Sequence, residues 1–197
     1  MDNLLPLGLF YENLQGKMNR EEALKLIEEH IKTPNLKKHL LAVEICMKKL
    51  AKRFDQNEEL WGLAGLLHDL DYEYTKDKPE EHGLKAAEML SGKLPSVVIE
   101  AIKAHAGKAP VEGLMAQALF AVDPLTGLIV AAALMHPQKR LEALDETFVL
   151  NRFKEKGFAK GANREQIKAC EKLGLSLEEF ISISLSAMKE IAEDLGL

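Results

Sequence analysis

Apolar side chains at Leu36, Leu40, Val43, Met47 and Leu50 recur in steps of four, three, four and three, the spacing of one helical face. The same period continues through Leu60, Leu63, Ala64 and Leu67, after Asn57 as a helix opener. Helix starts are marked elsewhere by Asn19 with Glu22 three residues on, and by Thr33-Pro34, a cap followed by proline in the first turn. Asp71 to Lys78 is polar and aromatic and reads as a loop, after which Pro79 is expected to restart a helix to about Ser91, with Gly92 as its stop. Pro95 opens another, with Val98, Ala101, Ile102 and His105 on one face. Residues 114–134 are apolar over most of their length and predict a central helix, which Pro124 either kinks or divides. Two or three further helices are expected between Pro137 and Leu197, one of them opened by Ser176 with Glu179 as a capping box. The short β-branched run Val97 to Ile99 lies inside a helical frame, so the pattern predicts an all-α bundle.

Composition narrows the class. The 197 residues are enough for one domain, expected over 18–197, with the helices of 137–197 packed on its core. Hydrophobic residues at 47% and charged residues at 29% exclude a disordered chain. Acidic side chains outnumber basic ones 31 to 26, and a net charge of −5 argues against a general binder of nucleic acid polymers. The charge is uneven: Lys139 to Lys172 carries nine basic and six acidic side chains, and the loop Gly157 to Asn163 reads as flexible and basic. Cys46 and Cys170 make no disulfide framework and no Cys-x-x-Cys motif, which fits a reducing cytoplasm. No apolar run is expected to reach the roughly 20 residues of a bilayer span, and no membrane partner is expected. Residues 1–17, with Glu12-Asn13-Leu14 and Gln15-Gly16, read as a vector-derived leader with a protease-cleavage linker.

The chemistry concentrates in histidine and aspartate. His39 lies at the edge of the Leu36–Val43 stripe, His68-Asp69 ends an apolar helix, His82 falls just after Pro79, and His105 extends the stripe of Val98 and Ile102. Asp123 sits in the most apolar stretch, where it is either an N-cap for Pro124 or a buried carboxylate in need of a partner. His30 and His136 fall outside this pattern and read as structural or solvent-facing; Trp61 and the methionines read as core. His39 to His68 is 29 residues, Asp69 to His82 is 13, His82 to His105 is 23 and His105 to Asp123 is 18. Each step is about one helix and one loop, so each group comes from a different helix, the way helical bundles assemble metal sites.

That order of His, His-Asp, His, His and Asp resembles the HD superfamily of metal-dependent phosphohydrolases, and more closely its small bacterial HDIG-type hydrolases. The resemblance runs from about Asn19 to the C-terminus. It rests on Leu66-Leu67-His68-Asp69-Leu70-Asp71-Tyr72-Glu73, on Ala121-Val122-Asp123 with Leu125-Thr126-Gly127, and on the Phe158-Ala159 and Arg164-Glu165 segments. The pattern departs from the family where Leu70-Asp71 follows His-Asp in place of Ile-Gly. The resemblance implies an HD-type helical bundle with its metal site between central helices. In it, His39, His68, Asp69 and Asp123 hold one divalent ion, and Asp69 bridges to a second held by His82 and His105.

Imidazole and carboxylate ligands of this mixture suit two transition-metal ions, Fe, Mn, Zn, Co or Ni, better than Ca or Mg. The implied activity is hydrolysis of a small phosphomonoester or nucleotide by a metal-bound hydroxide, with His68 and Asp69 as the catalytic dyad. Lys38, Lys108, Lys156, Lys160 and Arg164 are candidates for holding substrate phosphate, with Lys154 beside them in the same basic segment. Tyr72 and Tyr74 either stack on substrate or pack. Two other functions fit the same fold: a dinuclear-iron oxygenase, and a non-catalytic helical signalling module.

Overall fold

The computed structural model describes residues 18–197, and the leader reading lies outside the described residues. Among the described residues every regular element is helical. Helix α1 (Arg20–His30) begins in a reciprocal capping box, with Glu22 N on Asn19 Oδ1 at 3.0 Å and Asn19 N on Glu22 Oε2 at 2.8 Å. Helix α2 (Pro34–Arg53) has proline in its first turn, but Thr33 makes no capping bond with its side chain. The cap comes from elsewhere in the chain: Glu73 Oε1 accepts from the amides of Lys32 and Thr33 at 2.6 and 2.7 Å. Leu40, Val43, Met47 and Leu50 of α2 are wholly buried, each side chain contributing about 1.5–3 kcal/mol. Glu44 shares that interior, answered by a fork of two bonds from Arg20 at 2.6 and 3.0 Å and by Lys48 at 2.8 Å.

Helix α3 (Glu58–Leu67) starts at Asn57, whose Oδ1 accepts from Leu60 N at 2.9 Å, and packs along α2. The approach is close because position 65 is glycine: a Cβ there would lie 2.9 Å from the carbonyl of Val43. The segment expected to be a loop contains a single helical turn, α4 (Tyr72–Thr75). Helix α5 (Leu84–Leu90) begins five residues later than Pro79 predicts. The reason is Asp71, which is fully buried and takes the amides of Gly83 and Ala86 on Oδ2 at 2.7 and 2.9 Å. Those amides would otherwise be orphans of a first turn. Gly83 enters the turn at φ 77°, a conformation open to glycine.

Helix α6 (Ser96–His105) leads to α7 (Gly113–Met135), which is continuous for 23 residues. Pro124 lies within α7 and does not divide it, so Asp123 is a mid-helix residue and not an N-cap. In length and apolarity α7 does match a bilayer span, contrary to the sequence expectation. Here most of its apolar length is covered by α2, α6 and the helices that follow. These are α8 (Glu146–Lys154), α9 (Arg164–Lys168), α10 (Leu177–Lys189) and α11 (Ala192–Leu195), with 3₁₀ turns at Leu141–Ala143 and Ala169–Leu173. Ser176 Oγ caps α10 through Glu179 N at 3.1 Å, while the Glu179 carboxylate pairs with Arg53 at 3.2 Å. Helices α9 and α10 pack on α7, and α10 and α11 pack on α2. Trp61 is buried, but Met135, at the end of α7, is exposed.

Candidate metal centre

Five elements deliver six side chains to one place. His39 comes from α2, His68 and Asp69 from the end of α3, His82 from the turn before α5, His105 from the end of α6, and Asp123 from the middle of α7. The six divide into two triplets. Asp123 Oδ1 stands 3.1 Å from His39 Nε2 and 3.6 Å from His68 Nε2, and the two imidazole nitrogens are 3.3 Å apart. Asp69 Oδ1 stands 3.3 Å from both His82 Nε2 and His105 Nε2. His68 Nε2 to Asp69 Oδ1, at 3.6 Å, joins the halves. Ligands about 2.0–2.2 Å from a common ion are themselves roughly 3–3.5 Å apart, so these separations match the edges of a coordination polyhedron.

The second nitrogen of each ring fixes which nitrogen faces the cluster. His68 Nδ1 is bonded to Gly65 O at 2.8 Å, and His105 Nδ1 to Ile102 O. A carbonyl only accepts, so both rings carry their proton on Nδ1. His82 Nδ1 donates to Asp71 Oδ1 at 2.9 Å. Thr126 Oγ1 spends its one proton on Asp123 O at 2.9 Å and therefore accepts from His39 Nδ1 at 3.2 Å. In its neutral form each of the four imidazoles would thus turn an Nε2 lone pair inward, the orientation that outer hydrogen bonds impose on metal-ligating histidine. Four lone pairs and two carboxylates aimed at one another fit divalent cations: His39, His68 and Asp123 would hold one, and Asp69, His82 and His105 another.

Without a cation, protons take that role. Burial of His68 opposes its charge, but Asp69 and Asp123 outweigh burial and raise it to about 9. His82 is likewise opposed by burial and raised to about 10 by Asp69 and Asp71. Burial pushes the two ligand carboxyls up, yet the surrounding imidazoles win: His68, His105 and His82 hold Asp69 well below the usual range, as His39 and His68 do Asp123.

Asp71 and Thr126 orient ring nitrogens of the cluster but are not among the residues the sequence marks as candidates. Asp71 lies two residues after the His-Asp pair and Thr126 one helical turn after Asp123. For Asp71 the acid repeated at short spacing is the available signal.

The candidate phosphate ligands fare differently. A cleft of about 320 Å³ opens beside His39 and Asp123, walled by Pro124, Gly127, Ala159, Gly161 and Ala162. Lys160 sits between two of those wall residues and is exposed, as is Lys156. Lys108 is half-buried in the turn after α6 and does not line that cleft. Lys38, next to His39, donates to Leu195 O at 2.8 Å. Arg164 is not a free phosphate ligand. Its guanidinium donates to six main-chain carbonyls, those of Arg152, Phe153, Glu155, Phe158, Ala159 and Ala162, at 2.6–3.4 Å. It therefore pins the loop that was expected to be flexible. Tyr72 meets the His82 ring edge-on at 6.2 Å, whereas the Tyr74 hydroxyl bonds His30 Nδ1 at 2.9 Å.

Comparison with known proteins agrees with this geometry. The chain is 31% identical over 112 residues to ribonuclease Y of Acholeplasma laidlawii (strain PG-8A), an alignment covering 56% of this chain and 20% of that protein. The chain thus spans about a fifth of the length of that curated relative. No solved structure matches it significantly. The HD domain matches residues 36–134, a stretch that contains all six converging side chains and half of the chain, and the protein belongs to the HD domain family.

Proposed function

We propose that this protein is a metal-dependent phosphohydrolase acting on a small phosphomonoester or nucleotide, with a dinuclear centre. The observation that carries the reading is the paired arrangement of donors, two triplets joined through His68 and Asp69. HD domains are metal-dependent phosphohydrolases as a family. Two divalent ions in such a site would supply Lewis acidity toward a phosphoryl oxygen and lower the pKa of a bound water to about 7. The chain itself orients the ligands. Asp69 presents one oxygen to three imidazoles, His68 of one triplet and His82 and His105 of its own, so it would help hold an ion in either half. His68, buried between the two aspartates, fixes the distance between the halves. The cleft beside His39 and Asp123 admits a phosphate ester from solvent, and exposed Lys160 and Lys156 near its rim supply positive charge. No cysteine or serine nucleophile is needed.

The test is phosphate release by protein loaded separately with Mn, Fe, Co, Ni and Zn, across phosphomonoesters, nucleoside monophosphates and single-stranded RNA. The RNA arm follows the relative that is a ribonuclease. The expected outcome is turnover of a small ester that Asp69→Ala and His68→Ala both abolish together with bound metal. Turnover persisting in metal-free Asp69→Ala protein would overturn the reading. So would oxygen consumption by the iron-loaded protein without phosphate release.

A further inference from the structure

A second cavity adjoins the metal centre. It has a volume of about 320 Å³ and shares His39 and Gly127 with the cleft beside Asp123. Its walls are mainly aliphatic, from Ala42, Val130, Leu134 and Leu195. Its available polar side chains are Asn35 and Lys38, since Thr126 is already spent on Asp123 O and His39; no acidic side chain lines it, and Gly196 and Leu197 close one side.

Gly127 marks the junction. It lies inside α7, where glycine is disfavoured against alanine because it leaves the unfolded chain more freedom to lose. Close packing does not require it there: a Cβ at 127 would meet nothing within 4 Å. This differs from Gly65, whose Cβ would strike the neighbouring helix. The helix thus gives up a side chain where two cavities meet beside a metal ligand, and the space so freed is open to a bound molecule.

We propose that this aliphatic chamber, entered over Gly127, is the subsite for the organic group of the substrate. It selects phosphomonoesters of compact, largely apolar alcohols over nucleotides. The proposal rests on the phosphohydrolase reading. A nucleobase or sugar would bring several hydrogen-bonding groups into a cavity that answers few of them, and unanswered polar groups are costly to bury. An apolar body gains from burial against Val130, Leu134 and Leu195, and the Lys38 ammonium, bonded once to Leu195 O, has donors left for a single acceptor. The size lies at the small end of ligand cavities.

Two measurements on the metal-loaded full chain test this. Initial rates would compare isobutyl phosphate with glycerol 3-phosphate and adenosine 5′-monophosphate, and kcat/KM is expected to favour the isobutyl ester about tenfold or more. Independently, isobutylphosphonate, which cannot be hydrolysed, would be titrated against protein with labelled leucine and valine methyls. The signals of Val130, Leu134 and Leu195 are expected to move. Gly127→Leu, which fills the junction, should abolish those shifts and raise KM for the isobutyl ester at unchanged metal content. Gly127→Ala should fold at least as stably as the parent and controls for backbone effects. Preference for the polar esters, or phosphonate binding that leaves the three methyl signals in place, would overturn the proposal. Methyl shifts without turnover of any ester would uphold the chamber and sink the hydrolase reading instead.

Discussion

Asp71 holds His82 by its Nδ1 at 2.9 Å, and that contact aims the opposite nitrogen of the ring at Asp69. The same carboxylate closes the turn before α5 through the amides of Gly83 and Ala86. One buried acid therefore both shapes the chain around a ligand and orients the ligand itself.

Replacing Asp71 separates from the loss of a direct ligand in a measurable way. Asp71→Ala should weaken binding at the His82 half of the centre roughly 10- to 100-fold. It should also lower stability by about 1–3 kcal/mol, since two amides and an imidazole lose their partner. Titration with a metal-binding indicator competitor, with urea unfolding of the metal-free protein, reads both. Unchanged stoichiometry and affinity at both positions would show that the ring needs no orienting group.

The centre should respond to pH with a definite sign. His68 and His82 are raised to about 9 and about 10 in the metal-free state, above the ordinary imidazole value of about 6.5. Their stabilisation is therefore complete below about pH 6.5 and is lost as pH climbs through about 9 and 10. Asp69 and Asp123 are shifted down, so their contribution is present above the ordinary carboxylate range and lost only in stronger acid. Chelator-treated protein should melt at progressively lower temperature between about pH 7 and 10. Metal binding must expel the imidazole protons, so affinity should rise over the same range. Calorimetry in buffers of different ionisation enthalpy would register that release, and its absence at neutral pH would contradict the assignment.

Arg164 is expected to behave as a staple. Arg164→Ala frees the carbonyls of residues 152–162 and should cost about 2–3 kcal/mol in urea unfolding. Limited proteolysis should then cut between Glu155 and Asn163. Arg164→Lys should rescue little, because one ammonium cannot reproduce the planar fork. A stable, protease-resistant Arg164→Ala protein with only a raised KM would restore the phosphate role that the sequence assigned it.

Neither thiol should react in the native state. Burial pushes Cys46 up to about 12, partly offset by the Ser184 side chain, and burial raises Cys170 to about 11. Iodoacetamide at neutral pH should leave both unmodified until urea exposes them. Labelling of Cys46 in the folded protein would reveal an opening motion in the α2–α10 packing.

The sequence carried the residue types and their order because most of these side chains interrupt an apolar period, at a helix edge or end or, for Asp123, in the middle of the most apolar helix. His68-Asp69 after Leu67 and His105 after Ile102 are examples. It did not carry contacts between distant segments. Glu73 capping α2, Asp71 delaying α5 and Arg164 gathering six carbonyls all join residues whose local context gives no sign of the partner. Of the two outcomes open for Pro124, division of the helix does not occur, for a related reason. Proline removes one amide from a helix, but packing of α7 against α2 and α6 outweighs that loss. The alternatives for Asp123 could be decided only once that helix was seen to continue.

The contact at Gly65 sets a dimension. Main chain lies directly on main chain where α3 crosses Val43, one helical turn beyond His39 and just before His68. The two helices work as the jaws of a calliper whose tips are those imidazoles. Neither tip can swing to adjust, since Gly65 O tethers one ring and Thr126 the other. The spacing between those two imidazoles is accordingly gauged by a main-chain contact at Gly65, a residue outside the cluster itself.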